Sequence, residues 1–141
     1  VERSRGLGDV YKRQQLVIEL NGGLETPDDC LKALDGCDGA MVGRAAYAHP
    51  LRWQAIDALV FNDAPRTIKA SDVVMGLLPH AETHLQRGGR LWDLCRHLVQ
   101  LVEGVRGARH WRRELGEQAQ RSGAGLPVLE AAGRQLSDAG L

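Results

Sequence analysis

The sequence of 141 residues contains few of the features that would place it in several common protein classes. Its three cysteines, Cys30, Cys37 and Cys95, are odd in number and scattered, which fits reduced thiols better than the disulfide framework of a small secreted domain. No apolar run approaches the roughly 20 residues that a membrane-spanning helix needs. The cysteines and the five histidines do not fall at metal-ligand spacing. These absences predict a cytoplasmic protein with reduced thiols, no membrane partner and no metal.

The net charge is also zero, but the charges are unevenly distributed. Residues 16–86 carry five Lys/Arg against ten Asp/Glu, a net charge of −5. Residues 87–121 carry eight arginines, no lysine and four acids, a net charge of +4. Guanidinium groups suit phosphate forks and base stacking better than ammonium groups do. The distribution therefore predicts two functional surfaces, of which the second is basic.

The first residues resemble sequence that does not belong to a natural protein. The run 9–14, Asp-Val-Tyr-Lys-Arg-Gln, is the translation of the transposase mosaic-end adapter that is used in sequencing libraries. We therefore expect residues 1–14 to be an artefact at the end of a gene fragment, and we exclude them from the interpretation of the fold. The alternative is a flexible basic N-terminal arm.

Two short apolar strands, each followed by a glycine turn, stand about twenty residues apart. The first covers 16–20 and the second covers 39–42. Between them, Thr26 and Pro27 have the residue types of an N-cap and a first helical position, which predicts a helix from there to about Leu34. Two parallel strands that are joined by a helix form a βαβ unit with a right-handed crossover.

The residues after the two strands predict an anion-binding site. They are Asn21, Gly22 and Gly23 after the first strand, and Gly43 and Arg44 after the second. Glycines let backbone N–H groups approach an anion closely, and Arg44 can add a charge-assisted contact. In a (β/α)8 barrel, the loops after strands 7 and 8 are where a phosphate is usually held. The alternative is a pair of ordinary turns with a solvated Arg44.

Everything after a polar linker at 63–70 is predicted to be helical. Ser71 is expected to cap a helix that continues to about Gln86, with a kink at Pro79. Apolar residues from Arg90 to Val102 recur at helical spacing. Two further helices are predicted over 108–121 and 126–138, so that this half forms a small helical bundle.

An arginine cluster in this bundle is the second candidate site. Arg109, Arg112 and Arg113 share one face of the predicted helix, and Arg96 lies on the polar side of the preceding one. These residues are the expected contacts with nucleic-acid phosphates. Trp111 is either a stacking platform or, as the more common alternative, a core residue. The alternative to a phosphate-binding role for the arginines is that they form a solvated face and pair with nearby glutamates.

Four segments together resemble the C-terminal part of the A-type tRNA-dihydrouridine synthases, in order and with fitting spacing over nearly all of residues 15–130. The segments are Ile18-Glu19-Leu20-Asn21-Gly22-Gly23, Asp38-Gly39-Ala40-Met41-Val42-Gly43-Arg44-Ala45-Ala46-Tyr47, Arg96-His97-Leu98, and Gly107-Ala108-Arg109-His110-Trp111-Arg112-Arg113-Glu114-Leu115.

The resemblance implies a fold of α/β plus all-α class, namely the last two βα units of a TIM barrel (strands 7 and 8, residues 15–62) followed by a C-terminal helical tRNA-binding domain (71–141). It implies an oxidoreductase that is monomeric when complete. NADPH would reduce the FMN, hydride would pass to C6 of a D-loop uridine, U20 or U20a, and a cysteine acid would protonate C5. That cysteine comes from earlier strands of the family's barrel. We therefore expect this chain to be an inactive fragment without catalytic residues.

The resemblance also assigns roles to the two candidate sites. Asn21, Gly22, Gly23, Gly43 and Arg44 match the segments that hold the FMN phosphate. Arg109 and Arg112 match positions that contact tRNA, and their neighbours Arg113 and Arg96 complete the predicted tRNA surface.

The sequence departs from the family pattern at two positions. Gln100 replaces a small residue, which argues against close helix packing there, and His49 stands where asparagine is common.

Two other functions are alternatives. One is another FMN-binding or phosphate-binding TIM-barrel oxidoreductase, which would not need an arginine-rich helical tail. The other is a stand-alone helical RNA-binding module, which would not carry two strands with glycine turns.

Overall fold

The structure is a computed structural model that describes residues 16–141, so the predicted adapter segment at 1–14 lies outside the described residues. The chain divides into two compact units. The first ends at Arg66, and the second runs from Thr67 to Leu141. This division lies inside the range 63–70 that the sequence suggests as a linker.

The first unit is built on two parallel strands, β1 (Glu19–Asn21) and β2 (Gly39–Met41), in which Leu20 is the partner of Ala40. β1 begins later than the predicted strand 16–20. The pairing starts at Ile18, whose carbonyl oxygen accepts from the N–H groups of Asp38 and Gly39 at 2.9 and 3.1 Å. Val17, before it, is 80% exposed.

Helix α1 (Pro27–Leu34) connects the two strands within the predicted bounds. The N–H of Asp29 donates to Thr26 Oγ1 at 3.2 Å, and Asp29 Oδ2 accepts from the N–H of Thr26 at 3.0 Å. This reciprocal capping box satisfies N–H groups that have no acceptor within the helix. The hydrogen bond from the Thr26 hydroxyl, followed by backbone N–H donors, lowers the pKa of Asp29 below its ordinary value.

Three short helices follow β2. They are α2 (Arg44–Ala48), a 3₁₀ helix (Pro50–Ala55) and α3 (Ile56–Phe61). His49 separates the first two with an irregular backbone, φ −135° and ψ 62°. A residue before proline is disfavoured in the α conformation, so the helix that begins at Arg44 ends before Pro50.

The second unit contains five helices: α4 (Ala70–Gly76), α5 (Leu78–Gln86), α6 (Leu91–Leu98), α7 (Ala108–Ala119) and α8 (Leu126–Asp138). α8 has the predicted bounds, and α6 begins directly after Arg90 as predicted. None of the helices within residues 16–141 combines the length and the apolar character that a bilayer crossing needs.

The first helix of this unit differs from the prediction in two ways. Lys69, not Ser71, is its N-cap residue, because Asp72 Oδ2 accepts from the N–H of Lys69 at 3.4 Å. Ser71 is instead buried, and its N–H donates to the carbonyl oxygen of Leu141 at 3.2 Å. The predicted single helix is also divided in two: α4 ends at Gly76, Leu77 lies between the helices, and Pro79 lies in the first turn of α5, where its missing N–H breaks no helix hydrogen bond. A break two residues before this proline agrees with the disturbance that the sequence predicts there.

The core of the second unit lies between α4, α7 and α8. Trp111 on α7 is only 5% exposed, and its Nε1–H donates to the carbonyl oxygen of Ala132 on α8 at 3.0 Å. A buried indole needs such a partner. Trp111 is therefore a core residue and not a stacking platform.

α6 is shorter than its apolar pattern predicts. It ends at Leu98, while Leu101 and Val102 are buried in the turn that follows. Gln100 also lies in this turn and is half-buried. The periodicity identified the buried residues correctly but not the end of the helix.

Cys95 is expected to resist thiol reagents in the folded chain. The side chain is fully buried on α6, and burial raises the pKa of its thiol to about 11. The reactive thiolate is then suppressed by at least about 100-fold at neutral pH relative to an ordinary cysteine. Residue-resolved mass spectrometry after a brief maleimide pulse should label the half-buried Cys37 first and Cys95 only after denaturation. Equal labelling of Cys37 and Cys95 in the native chain would contradict this packing.

Candidate functional site

One cavity of about 600 Å³ in the first unit is lined by all five residues that the sequence predicts as an anion site. These residues come from the loops that follow β1 and β2, which are neighbouring parallel strands. Since the carboxyl ends of parallel strands lie at the same edge of a sheet, the two glycine turns meet there. The lining residues within the described part of the chain are Asn21, Gly22, Gly23, Leu24, Glu25, Met41, Gly43, Arg44, Ala45, Ala48, His49 and Arg52.

The glycines leave room for a ligand next to the backbone. Gly22 and Gly23 have φ values of +101° and +71°, a region that side chains rarely adopt. A Cβ on Gly22 or on Gly43 would meet no atom within 4 Å, so it would project into open space. A phosphate oxygen can therefore approach these backbone N–H groups closely. This geometry fits an anionic group of the size of a phosphate.

The helix after Gly43 adds less positive potential than the sequence suggests. α2 has only five residues, so few peptide dipoles add along its axis. The attraction for an anion rests instead on individual amides of the glycine turns and on side-chain charge.

Four ionisable side chains of the described residues line the cavity: Glu25, Arg44, His49 and Arg52. Both arginines are exposed, and neither forms an ion pair within residues 16–141. Arg52 is not predicted as a lining residue by the sequence pattern, because its place at the cavity depends on the break between α2 and the 3₁₀ helix. The only signal in the sequence is Pro50, which ends one helix and starts the next.

Among residues 16–141, the lining contains no cysteine and no nucleophile with a neighbouring base. Cys30, on α1, is buried, and burial, with a smaller effect of Asp29, raises the pKa of its thiol. No group of three or more His, Cys, Asp or Glu side chains in the described part of the chain is placed to hold a metal ion. The described residues of the cavity can therefore bind and orient an anion.

The second candidate surface lies on α7, where Arg109 and Arg113 are exposed and Arg112 is half-buried. Arg112 Nε donates to the carbonyl oxygen of Ala108 at 3.3 Å. Arg113 Nε lies 3.9 Å from Glu117 Oε1. Arg109 has no hydrogen bond or ion pair within the described residues, so its charge is the most available of the three.

The alternative interpretation of the arginines is a solvated face that pairs with nearby glutamates, and only one of the two glutamates of α7 forms such a pair. Glu114 Oε2 lies 3.3 Å from His110 Nε2 and accepts from Gln135 Nε2 at 2.9 Å. Of the two glutamates, only Glu117 pairs with an arginine of the cluster. The distance is near the upper limit for an ion pair, and both side chains are exposed. Exposed pairs of this kind contribute roughly 0–1 kcal/mol. The surface therefore keeps a positive character.

Arg96 lies on α6, which packs against α7 in the same unit. It is exposed, and its Nε donates to His97 Nε2 at 3.2 Å. The structure thus brings the four predicted arginines to two adjacent helices, while their contacts with RNA remain a prediction.

The sequence matches one protein-family model, described as "Dihydrouridine synthase (Dus)", over residues 6–137. Three of its relatives are named tRNA-dihydrouridine(20/20a) synthase. The protein from Shewanella oneidensis is 38% identical over 117 residues, 83% of this chain and 35% of the relative. The protein from Haemophilus ducreyi is 39% identical over 124 residues, which are 88% of this chain and 38% of the relative. The protein from Escherichia coli K12 is 36% identical over 123 residues, which are 87% of this chain and 36% of the relative. The chain thus spans a little over a third of the length of these relatives.

Proposed function

The chain belongs to the dihydrouridine synthase family, and we propose that it is the C-terminal segment of an FMN-dependent tRNA-dihydrouridine synthase. The complete protein would use NADPH to reduce a uridine of the tRNA D-loop. The names of the relatives favour position 20 or 20a.

The observation that carries this proposal is the cavity in which the five predicted residues meet. The amides of Gly22, Gly23 and Gly43 would bind the phosphate oxygens, and the guanidinium of Arg44 would add a charge-assisted contact. A bound FMN supplies the hydride-transfer chemistry. The role of these residues is to anchor it by its phosphate, which fixes the position of the flavin relative to the substrate base.

The two parallel strands support the placement of the first unit at the end of a TIM barrel, as strands 7 and 8. Two apolar side chains in this unit are strongly exposed, Val17 at 80% and Phe61 at 70%. Earlier strands and helices of a barrel would cover such side chains. The proposed protein therefore includes a longer N-terminal part, which would also supply the cysteine acid that the cavity lacks.

The second unit would bind the tRNA through the arginines of α6 and α7. Proteins recognise double-stranded RNA mainly through its shape, phosphates and 2′-hydroxyls. Arg109, without a partner among the described residues, and Arg112 are the residues that we expect to contribute most. Their task would be to orient the tRNA so that the target uridine, extruded from its stack, faces the flavin.

Replacing Arg109 and Arg112 together by alanine is expected to weaken tRNA binding by about tenfold at moderate salt. Each lost phosphate contact should also lower the slope of log affinity against log salt by about 1. A matched control is the pair Arg121→Ala and Arg134→Ala, which removes two exposed arginines of the same unit. Filter binding over a salt series measures both quantities. An unchanged affinity and slope in the first pair would refute the assignment of these arginines.

Flavin absorbance of the complete natural protein tests the proposed function. An FMN-dependent enzyme should copurify with flavin, which heating should release as FMN and not as riboflavin. A helical RNA-binding module would bind tRNA but contain no flavin. Another flavin oxidoreductase would contain flavin but would not bind tRNA.

A further inference from the structure

We propose that Arg52 is a second cation for the ligand phosphate and acts together with Arg44 in the lining of the cavity of the first unit. This inference rests on the proposed function, because it takes the ligand to be a phosphate monoester. It concerns a residue for which neither the glycine turns nor the strand pattern predicts a role.

Charge balance is the first argument. A phosphate monoester carries about −1.5 to −2 charges at neutral pH. Among the lining side chains, Arg44 contributes one positive charge and Glu25 removes one. Without Arg52 the lining would have no net charge against a dianion. With Arg52 it is positive by one.

The availability of the two guanidinium groups is the second argument. Both arginines are exposed, and no carboxylate within residues 16–141 forms an ion pair with either one. A planar guanidinium group can bind two phosphate oxygens at once, and two such groups can approach one phosphate from different sides. The glycine amides donate hydrogen bonds to the phosphate but bring no net charge. Neutralisation therefore falls to the arginines.

The local backbone explains how a residue eight positions after Arg44 reaches the same cavity. α2 ends at Ala48, and the 3₁₀ helix starts with Pro50. The N–H of Arg52 donates to the carbonyl oxygen of His49 at 3.0 Å, which fixes the first turn of the new helix. Since His49 also lines the cavity, this turn holds Arg52 at its edge.

The test is an Arg52→Gln substitution in the complete natural protein, with flavin fluorescence used to measure the binding of FMN and of riboflavin. FMN binding should weaken by about tenfold at pH 8, the range expected for one charge-assisted contact to an anion. Riboflavin binding should stay the same, because riboflavin has no phosphate. Arg52→Lys should fall between the wild type and Arg52→Gln. Arg66→Gln removes an exposed arginine of the same unit that does not line the cavity, and should have no effect.

The pH dependence gives a signature that a purely structural role of Arg52 would not produce. The phosphate loses its second charge below its pKa of about 6. At pH 5 the effect of Arg52→Gln on FMN binding should therefore shrink to about threefold. The other ionisable groups of the lining, Glu25, Arg44 and His49, are present in both proteins, so their titration cancels to first order in the comparison.

Each outcome decides the inference. If Arg44→Gln weakens FMN binding and Arg52→Gln does not, the second cation is refuted while the proposed function stands. Equal weakening for FMN and riboflavin would make Arg52 a structural residue and would also refute the inference. If the wild-type protein binds FMN no more tightly than riboflavin, the phosphate site and with it the proposed function are wrong.

Discussion

Replacing Arg44 by alanine should weaken the binding of FMN by about 30-fold. The guanidinium group is the charged member of the five-residue anion site, and a hydrogen bond to a charged group contributes about 1.5–3 kcal/mol. The effect should exceed that of Arg52→Gln, because Arg44 directly follows the Gly43 turn, whose amides bind the same phosphate. Titration of FMN against the apoprotein, followed by flavin fluorescence, measures the change.

Arg44→Lys is the matched variant, since it keeps the charge and loses the planar fork. Its FMN affinity should lie between those of Arg44→Ala and the wild type, while its riboflavin affinity should be unchanged. A lysine variant as weak as the alanine variant would show that geometry and not charge determines binding. Wild-type affinity in Arg44→Ala would contradict the assignment of the cavity.

Replacing Gly89 by alanine should lower the stability of the second unit by about 2 kcal/mol, or its Tm by about 10 °C. A Cβ at this position would overlap the imidazole ring of His84. To make room, the ring would have to turn away and give up its contact with Asp93, whose Oδ2 lies 3.4 Å from the ring Nε2. The same carboxylate accepts from the N–H of Arg90 at 3.1 Å, and this hydrogen bond is the main reason that the pKa of Asp93 is lowered. Thermal unfolding of the chain, followed by circular dichroism, gives the Tm.

Two controls separate the overlap from other effects of the added methyl group. Gly76→Ala places a Cβ in open space at the end of α4, and its stability should be unchanged or slightly higher. In a His84→Ala background, Gly89→Ala should cost much less, because the ring is gone. If Gly89→Ala is equally destabilising with and without the ring, the packing account is wrong.

Local capping chemistry made several elements predictable from the sequence. Thr26 and Pro27 define the start of α1, because capping acts within one turn of the chain. Ser71 resembles an N-cap by the same local rule, yet it is buried. Its N–H bonds to the carbonyl oxygen of Leu141, seventy positions away. Such a long-range contact leaves no local trace in the sequence.

The same contrast holds for the candidate site. The glycine turns and Arg44 were predictable, because each directly follows a strand and parallel strands bring their ends together. Arg52 was not predictable, because it reaches the cavity only through the break at His49 and Pro50. The apolar periodicity indicated which side of α6 is buried, but it extended the predicted helix past Leu98. Residues of the following turn are also buried, and their spacing resembles that of a helix.

The central claim is that this chain is part of an enzyme that reduces a uridine of tRNA. The most direct test incubates the complete natural protein with FMN, NADPH and unmodified tRNA, and then maps dihydrouridine by mass spectrometry of nuclease fragments. The proposed function predicts a gain of two hydrogens on a single D-loop uridine, at position 20 or 20a, that depends on NADPH. NADPH oxidation or flavin binding without any dihydrouridine in the tRNA would contradict it.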